Sequence, residues 1–386
     1  MRIARVLTRM NLGGPARQVL ASDPLLMRRG YEIRVFAGSP EAGEGDLFDE
    51  AQRRGLDIVR VPGLARGWSL AGDLRARAFL KQQFRAFAPQ LVHSHASKAG
   101  ALARSAARGL DAARVHTFHG HVLEGYFPAP LSRGLIAIER KLARETDRIV
   151  AVSHATADDL VRLGIAPEER IVVVPPGVDL SRLLDLERGS GDLQRRLGAP
   201  REALLVGVVG RLAPVKAPER ALEVLELLGE RYPLLQLVFI GDGELRGALE
   251  RRIRALPAAL RERAHMLGAV EDITPLYADL FAVLLTSLSE GLPVALIEAA
   301  AAALPVVTTR VGGCEEIVAE ERTGYLGNTV DELGYGLSRL LDDPAAASAM
   351  GQRARLRVVA RHSAESLATR LDQLYQAVAQ ERACAS

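Results

Sequence analysis

Two glutamates, Glu290 and Glu298, flank a short loop in the second half of the chain. The loop follows an apolar run at residues 281–285 and leads into an alanine-rich helical pattern. Gly291 permits a sharp turn there, and Pro293 suits the first position of a helix, whose backbone N–H groups favour an anion. Glu290 would accept hydrogen bonds from hydroxyl groups, and Glu298, about one and a half turns into the helix, would bind a diol.

Two carboxylates in such a segment leave other interpretations open. They also suggest the acid and base of a glycoside hydrolase, although the loop and helix between them do not fix the carboxylate separation. A hydrolase would also need no neighbouring phosphate site. The structural alternative is a carboxylate that the helix dipole favours, together with a surface glutamate.

A candidate phosphate site lies upstream, where the apolar run 204–209 ends at Gly210 and two cations follow. Arg211 offers a planar fork for phosphate oxygens, and Lys216 offers a compact point charge. Such a pair suits a diphosphate whose negative charge grows as it departs. Two solvated loop cations are the alternative.

Gly13, Gly14 and Pro15 follow the first apolar run and open a helical pattern. Glycine lets the backbone approach a ligand closely, and the helix start beyond it favours an anion. A tight turn without a ligand explains the same residues. The segment lacks the GxGxxG pattern of dinucleotide-binding proteins, which argues against an NAD enzyme.

These segments belong to a regular alternation of short β-branched runs and helical patterns, which predicts two doubly wound, Rossmann-like α/β domains with parallel sheets. The predicted strands cover residues 3–7, 32–36, 58–61, 91–93, 115–118, 148–152, 171–174, 204–209, 235–240, 265–267, 281–285 and 306–308. The clearest helical patterns cover residues 18–29, 70–87 and 133–145.

The break between the two domains falls at a turn formed by Pro175, Pro176 and Gly177. We therefore expect an N-terminal domain at residues 1–176 and a C-terminal domain at residues 190–360. Ligands of open α/β sheets bind beyond the carboxyl ends of the strands. Two such domains would face each other across a central cleft.

Residues 290–298 match the E-x7-E signature of the retaining glycosyltransferases of family 4, which have the GT-B fold. Other segments resemble landmarks of that family and occur in the family's order. They are Gly13 to Pro15, Gly210 to Leu212 with Lys216, Gly241 to Gly243, and Gly312 with Gly313. Each motif is weak alone, but together they are specific and span nearly the whole chain.

The resemblance implies how the donor diphosphate is held. Arg211 and Lys216 would bind it and assist catalysis, next to the backbone at Gly210. Gly13 and Gly14 would let the backbone of the N-terminal domain approach the phosphate.

The resemblance also implies contacts with the rest of the donor. Glu298 would bind the ribose hydroxyls, and Glu290 would contact hydroxyls of the donor sugar. Val270 falls in the stretch that resembles the base-binding loop. Backbone groups of the loop would assist at Gly291, Leu292 and Pro293.

Two positions differ from the usual family pattern. Lys216 is followed by Ala217 where the family often has glycine. The loop after Glu290 reads Gly-Leu-Pro where many members have Gly-Phe-Gly. The second difference bears on the identity of the donor sugar more than on activity.

Six of the eight histidines fall between residues 93 and 154, which suggests a metal site as one interpretation. No acidic residue joins the densest run at 116–121, so we expect no metal. The resemblance implies that His119 faces the donor sugar and bonds its hydroxyl or assists the reacting centre. Candidates for orienting the acceptor are His93, His95, His121 and Tyr126; strand capping and packing are the alternatives.

The net charge of the 386 residues is +3, and the positive excess lies in the first half of the chain. This asymmetry suggests an anionic partner such as a membrane surface, although surface scatter also explains it. Residues 70–87 form a basic amphipathic pattern that would lie on an anionic bilayer or pack on a sheet. Two cysteines support no disulfide framework, and no run is long enough to span a membrane. We expect a cytoplasmic protein, at the inner face of the membrane if it binds there.

The resemblance implies a retaining hexosyltransferase that uses a nucleotide diphosphate sugar. The preferred donor is a UDP-sugar, with a GDP-sugar as the alternative. The acceptor would be a saccharide or a lipid-linked acceptor in cell-envelope or exopolysaccharide synthesis. We expect no cofactor and no nucleic-acid partner. The helical segment 364–381 would pack back on the N-terminal domain.

The resemblance also implies a mechanism in which the acceptor hydroxyl attacks from the face that the diphosphate leaves. The departing phosphate would take the proton. The remaining alternatives are a nucleotide-sugar epimerase and a non-catalytic nucleotide-sugar binding protein of the same fold.

Overall fold

A computed structural model describes residues 1–41, 45–67, 69–120, 123 and 128–385. The chain divides into two compact units. The first comprises Met1–Val178 and His362–Ser386, and the second comprises Asp179–Arg361. Each unit contains a parallel sheet with interleaved helices, so the predicted two-domain, Rossmann-like α/β fold is confirmed.

The described part of the first unit has a seven-stranded sheet in the order β3-β2-β1-β4-β5-β6-β7. Its strands are β1 Arg2–Leu7, β2 Glu32–Ala37, β3 Asp57–Arg60, β4 Leu91–His95, β5 Ala113–Phe118, β6 Arg148–Ala151 and β7 Ile171–Val173. The helices of the N-terminal stretch are α1 Gly14–Arg28, α2 Phe48–Arg53, α3 Leu70–Phe87, α4 Ser97–Ala106, α5 Ala129–Arg144 and α6 His154–Arg162, followed by a 3-10 turn at Glu168–Arg170.

The described part of the second unit has a six-stranded sheet in the order β10-β9-β8-β11-β12-β13. Its strands are β8 Leu204–Val209, β9 Leu235–Ile240, β10 Ala264–Gly268, β11 Leu280–Leu285, β12 Val306–Thr309 and β13 Gly324–Gly327. Its helices are α7 Ser181–Leu184, α8 Asp192–Leu197, α9 Glu219–Leu228, α10 Arg246–Ala255, α11 Ala258–Arg261, α12 Thr274–Tyr277, α13 Val294–Ala301, α14 Cys314–Ile317, α15 Val330–Asp342 and α16 Pro344–His362, with a 3-10 turn at Pro214–Lys216. The last helix, α17 Ala364–Ala385, belongs to the first unit.

The sheet of the first unit is covered on both faces. Side chains alternate along each strand, so one strand contributes to the core on each face. Ile3 and Leu7 of β1 join a core that includes residues of α1 and α17. Ala4 and Val6 point the other way, into a core formed with α3 and α4. None of the helices in the described residues is long and apolar enough to cross a membrane.

Several predicted element boundaries are wrong by a few residues. Strand β4 continues to His95, beyond the predicted end at residue 93, because a buried ladder to β5 pairs these polar residues. Helix α1 begins at Gly14, as expected from the prediction that Gly13 to Pro15 open a helix, and so extends four residues before the helical pattern at residues 18–29. Strand β13 was not predicted, since glycines leave only two larger apolar residues in it.

The interior of the first unit contains imidazoles that pack without solvent contact. His93 and His116 have no exposed surface, and His95 is 6% exposed. Burial, reinforced by neighbouring positive charge, lowers the pKa of each of these histidines well below its ordinary value. The folded unit therefore holds them uncharged at neutral pH.

We expect the first unit to lose stability as the pH falls below about 6.5. The unfolded chain takes up protons at histidine near pH ~6.5, whereas the folded unit takes them up only at lower pH. The stability is therefore complete above the unfolded pKa and is lost as the pH falls towards the folded pKa. Each such histidine contributes a loss of about 1.4 kcal/mol per pH unit inside that window.

Hydrogen exchange of peptides covering β4 and β5, measured in urea at several pH values, would determine this loss. In His116→Asn the slope should decrease by about 1.4 kcal/mol per pH unit. The matched control is His154→Asn, since His154 is exposed. A free energy of opening that stays constant between pH 7 and about 5 would contradict the prediction.

Candidate functional site

An ammonium–carboxylate pair joins two of the predicted site residues of the second unit. Lys216 Nζ lies 2.5 Å from Oε1 of Glu290, and Ser287 Oγ donates to the same oxygen at 2.6 Å. The Lys216 side chain is 28% exposed and that of Glu290 is 9% exposed. The loops after β8 and β11 therefore present an accessible cation backed by a nearly buried carboxylate.

Hydrogen bonds between these two loops fix the backbone around the pair. The Thr286 hydroxyl donates to the carbonyl oxygen of Ala217 at 2.9 Å, and the Leu288 N–H donates to that of Val215 at 2.8 Å. Ala217 has a φ of 41°, a left-handed conformation that glycine adopts without strain. The backbone geometry thus explains why glycine suits the position after Lys216, and alanine occupies it here at a cost in strain.

A close backbone approach holds the Glu290 loop from the other side. A Cβ atom on Gly312 would lie 1.7 Å from the carbonyl oxygen of Glu290. The Gly313 N–H donates to the Gly291 carbonyl at 2.9 Å, and the Thr309 hydroxyl donates to the Ser287 carbonyl at 2.6 Å. The segment after β12 therefore fixes the loop that carries Glu290.

Arg211 lies in the loop after β8 with its side chain 37% exposed. Its ion-pair partner is Glu244 at 3.8 Å, and exposed pairs of this kind are weak. The loop is confined by glycine, since a Cβ atom on Gly241 would lie 1.9 Å from the Gly210 carbonyl oxygen. The guanidinium is therefore accessible to an anion.

Glu298 lies in α13 and is only 8% exposed. The Tyr277 hydroxyl donates a hydrogen bond of 3.2 Å to its Oε2 atom. Val270 is half-buried in the loop after β10. These positions place Glu298 and Val270 on different elements from the Lys216–Glu290 pair.

The prediction that Pro293 occupies the first helical position is wrong. Pro293 has an extended backbone with ψ of 116°, and α13 begins at Val294. Proline also has no N–H. Gly291 and the buried Leu292 are therefore the loop residues with amides to donate.

Gly13 and Gly14 lie at the start of α1, which has 15 residues. Gly13 is the N-cap, and no side chain caps this end of the helix. The Gly13 N–H donates to the Asn11 side chain at 3.2 Å. Uncapped N–H groups of the first turn are available to an anion.

Three imidazoles stack in the first unit, at the carboxyl ends of β4 and β5. The ring centres of His93 and His95 are 4.4 Å apart, and those of His95 and His119 are 5.1 Å apart. His95 Nδ1 lies 2.9 Å from His119 Nε2. His119 is half-buried, and burial together with the charge of Arg5 lowers its pKa to about 4. The His119 ring is therefore uncharged at neutral pH.

The fully buried His93 contacts protein groups through both ring nitrogens. Its Nδ1 lies 2.6 Å from the Tyr375 hydroxyl, and its Nε2 lies 2.7 Å from Thr117 Oγ1. Any part of His93 in orienting the acceptor would therefore be indirect. His121 and Tyr126 lie outside the described residues.

Sequence reasoning missed the groups that surround these imidazoles. Arg5 and Asp23 form a buried ion pair, with Nη2 and Oδ1 2.5 Å apart. Arg5 Nη1 donates to the Tyr375 hydroxyl at 2.7 Å. Burial alone would lower the pKa of Arg5, but the Asp23 carboxylate raises it. The available signal was an arginine inside an apolar strand, because a buried strand carries a charge only with a partner.

The described residues contain no group of three or more histidine, cysteine, aspartate or glutamate side chains arranged to hold a metal ion. The second unit therefore offers cations, carboxylates and backbone amides, and the first unit offers neutral imidazoles and the backbone amides at the start of α1. These groups bind and stabilise anions and hydroxyl groups through hydrogen bonds and charge.

Two family models match the chain. Glycosyltransferase Family 4 matches residues 12–182, and Glycosyl transferases group 1 matches residues 191–357. The two matches correspond to the two structural units, apart from the C-terminal helix.

Relatives match over most of their length. The chain is 29% identical over 351 residues to UDP-Gal:alpha-D-GlcNAc-diphosphoundecaprenol alpha-1,3-galactosyltransferase of Escherichia coli, covering 89% of this chain and 88% of the relative. It is 30% identical over 377 residues to a D-inositol 3-phosphate glycosyltransferase of Xylanimonas cellulosilytica, covering 90% and 87%.

The fold resembles that of Anabaena Alr3699/HepE in complex with UDP-glucose, with a TM-score of 0.82 and 18% identity over 97% of this chain and 99% of that protein. This likeness shows the fold, and the relatives show the class of enzyme. The chain therefore belongs to glycosyltransferase family 4, has the GT-B fold and is a nucleotide-sugar glycosyltransferase.

Proposed function

We propose that the enzyme is a retaining hexosyltransferase that uses a UDP-sugar and a saccharide or lipid-linked acceptor in cell-envelope or exopolysaccharide synthesis. The observation that carries the proposal is the Lys216–Glu290 pair, with an ammonium 28% exposed beside a nearly buried carboxylate. An ammonium in this position suits a departing diphosphate, and a carboxylate suits the hydroxyl groups of a sugar.

The names of the relatives support the donor and acceptor classes. The E. coli relative is named for UDP-Gal as donor and for a diphosphoundecaprenol-linked sugar as acceptor. The Xylanimonas relative is named for inositol 3-phosphate. The first name favours UDP over GDP, and the two names support a lipid-linked acceptor and a small polar acceptor as the candidates.

In the second unit, Arg211 and Lys216 bind the diphosphate, and Glu298 binds the ribose hydroxyls. Glu290 binds the donor sugar through the carboxylate oxygen that Lys216 and Ser287 leave open. Gly291 and Leu292 donate backbone N–H groups, the backbone at Gly210 lies next to the diphosphate, and Val270 contacts the base.

In the first unit, Gly13 and Gly14 offer the start of α1 to the phosphate, and His119 bonds the donor sugar. His95, which contacts His119, helps to orient the acceptor. The buried His93 contributes to this only indirectly. His121 and Tyr126 complete the proposed acceptor set from the sequence alone.

The proposed reaction keeps the anomeric configuration. The acceptor oxygen forms its bond to the anomeric carbon on the face from which the diphosphate oxygen departs. The acceptor proton passes to the leaving phosphate oxygen, while Arg211 and Lys216 stabilise the charge that develops there. These steps balance without a further reactant.

A donor panel tests this function. Purified enzyme is incubated with UDP- and GDP-sugars and with two acceptors, diphosphoundecaprenol-linked N-acetylglucosamine and inositol 3-phosphate. We expect release of UDP that requires an acceptor, and a product with the donor's anomeric configuration by NMR. Inversion would contradict retention. Calorimetric binding without release of nucleotide would indicate a binding protein, and epimerised donor without transfer would indicate an epimerase.

The same assay tests the cation that carries the proposal. Lys216→Met keeps the side-chain length and removes the charge, so turnover should fall by about a hundredfold or more. Arg195→Met, which removes an exposed cation of the same unit, should leave turnover unchanged. Wild-type turnover in Lys216→Met would remove Lys216 from the site.

Gly312 offers a second test, of how the Glu290 loop is positioned. Gly312→Ala should weaken donor-sugar binding and turnover by about tenfold or more, because its Cβ would overlap the Glu290 carbonyl oxygen. Gly198→Ala is the matched control, since Gly198 also has positive φ, of 66°, but has open space around it. Both variants carry the same kind of backbone strain. Equal effects on turnover in the two variants would show that strain alone, and not the Glu290 contact, is responsible.

We also propose peripheral contact of α3 with an anionic membrane. The buried face of α3 consists of Ala76, Leu80, Phe84 and Phe87. Leu70 and Leu74, on another side, are 81% and 57% exposed. Basic residues flank this exposed apolar pair at Arg75 and Lys81. A helix with exposed leucines beside cations suits the surface of an anionic bilayer.

Vesicle flotation tests this contact. The enzyme should float with phosphatidylglycerol vesicles at low salt and less at high salt, because part of the attraction is ionic. Replacing Leu70 and Leu74 by glutamine should abolish flotation. The matched control replaces Leu227 and Leu356, which are 50% and 76% exposed in the second unit. Absence of wild-type binding to anionic vesicles would contradict the proposal.

A further inference from the structure

The stacked imidazoles of the first unit form a directed chain of hydrogen bonds that begins at Arg5. A guanidinium only donates, so an imidazole nitrogen that faces it must present its lone pair and not an N–H. Arg5 Nη1 lies 2.7 Å from the Tyr375 hydroxyl, 2.8 Å from His93 Nδ1 and 3.4 Å from His95 Nε2. All these groups are at most 6% exposed, so water does not compete with the protein for them.

The contacts of His93 agree with this direction of donation from Arg5. The single lone pair of its Nδ1 faces two donors, Arg5 at 2.8 Å and the Tyr375 hydroxyl at 2.6 Å, so this atom acts as an acceptor. A neutral imidazole then carries its proton on Nε2. That atom lies 2.7 Å from Thr117 Oγ1, which can accept. One tautomer therefore satisfies both nitrogens of His93.

The same reasoning fixes the tautomer of His95 and then the tautomer of His119. His95 Nε2 faces Arg5 and accepts, so the proton of a neutral His95 lies on Nδ1. This N–H points to His119 Nε2 at 2.9 Å and makes that atom an acceptor. A neutral His119 then carries its proton on Nδ1. No hydrogen bond to Nδ1 comes from the residues that the structure describes.

We propose that Arg5 and His95 are positioning residues that hold His119 as a neutral hydrogen-bond donor, with its Nδ1–H directed to an oxygen of the donor sugar. This assignment rests on the proposed function for its ligand. The assignment goes beyond the proposed function because it states which atom of His119 donates the hydrogen bond and in which direction. It also excludes His119 as the base that removes the acceptor proton, because one nitrogen is occupied by His95 and the other is already protonated.

The charges around His119 agree with a neutral ring. Arg5 contributes positive charge from β1, and Asp23 of α1 is 2.5 Å from Arg5 and balances it. The other ionisable groups that pack here are His93, His95 and the hydroxyl of Tyr375. Burial and the Arg5 charge lower the pKa of His119 to about 4, so the donor form persists at neutral pH.

The test combines NMR and kinetics of the full-length enzyme. In [15N]histidine-labelled protein, long-range proton–nitrogen spectra distinguish the protonated from the unprotonated ring nitrogen. We expect wild-type His119 to be protonated on Nδ1. His95→Leu, which keeps an apolar side chain in the space, should leave His119 as a mixture of tautomers. It should also lower kcat/KM by about tenfold, the value of one hydrogen bond.

Conservative replacement separates positioning from packing. The amide of His95→Asn can place an N–H where Nδ1 lies, so this variant should restore the His119 tautomer and most of kcat/KM. His116→Asn is the control, because it makes the same change at another buried histidine. His116 lies on β5 and faces the opposite side of the sheet from Thr117. This control should change neither readout. Calorimetry with UDP, which has no sugar, should give wild-type affinity in all three variants.

The NMR result decides the relay independently of catalysis. Protonation of wild-type His119 on Nε2, or an unchanged tautomer in His95→Leu, would overturn the proposal. Loss of kcat/KM in His95→Asn equal to that in His95→Leu would also overturn it, since packing would then explain both. If the donor panel detects no transfer in the wild type, the proposed function fails, while the tautomer of His119 still tests the hydrogen-bond chain.

Discussion

The Arg5 guanidinium is a donor-only group in the middle of an apolar strand, and much of the first unit is arranged around it. Asp23 of α1 must supply the opposite charge, and removing one partner of such a buried pair costs about 3–5 kcal/mol. Tyr375 of α17 must accept a hydrogen bond from Arg5. One buried charge therefore fixes α1, α17 and β4 against β1. It also explains why the last helix of the chain belongs to the first unit, where Leu367 and Leu371 extend the same core.

The second unit positions its charged groups by a different means. Its loops come so close that only glycine fits at the crossing points, as at Gly312 beneath the Glu290 carbonyl and at Gly241 beneath that of Gly210. Close backbone contact leaves the side chains at the surface free to meet a ligand. The partly exposed Lys216 ammonium is the result, in contrast to the fully enclosed guanidinium of Arg5.

The sequence predicted the architecture well because strands and helices differ in hydrophobic period along the whole chain. It also predicted Lys216 and Glu290 as candidate site residues, because loops after parallel strands collect ligand-binding residues. It did not predict that these two residues pair, since their contact depends on how the loops after β8 and β11 cross. Arg5, Asp23 and Tyr375 were missed for the same reason. They are separated by up to 370 residues in the chain and meet only through packing of α1 and α17 on the sheet.

The two kinds of positioning suit two different tasks in sugar transfer. A diphosphate that gains negative charge needs cations within its reach, and partial exposure leaves Lys216 and Arg211 accessible to an anion. A donor sugar offers hydroxyl groups and needs a hydrogen bond of defined direction without another charge. A protonated His119 would instead add a positive charge. The enclosed charge of Arg5 disfavours that protonation, and the order of donors from Arg5 through His95 gives the remaining proton of His119 a fixed position. A ring held in this way has no free lone pair for the proton of the acceptor, which agrees with the proposal that the departing phosphate takes that proton.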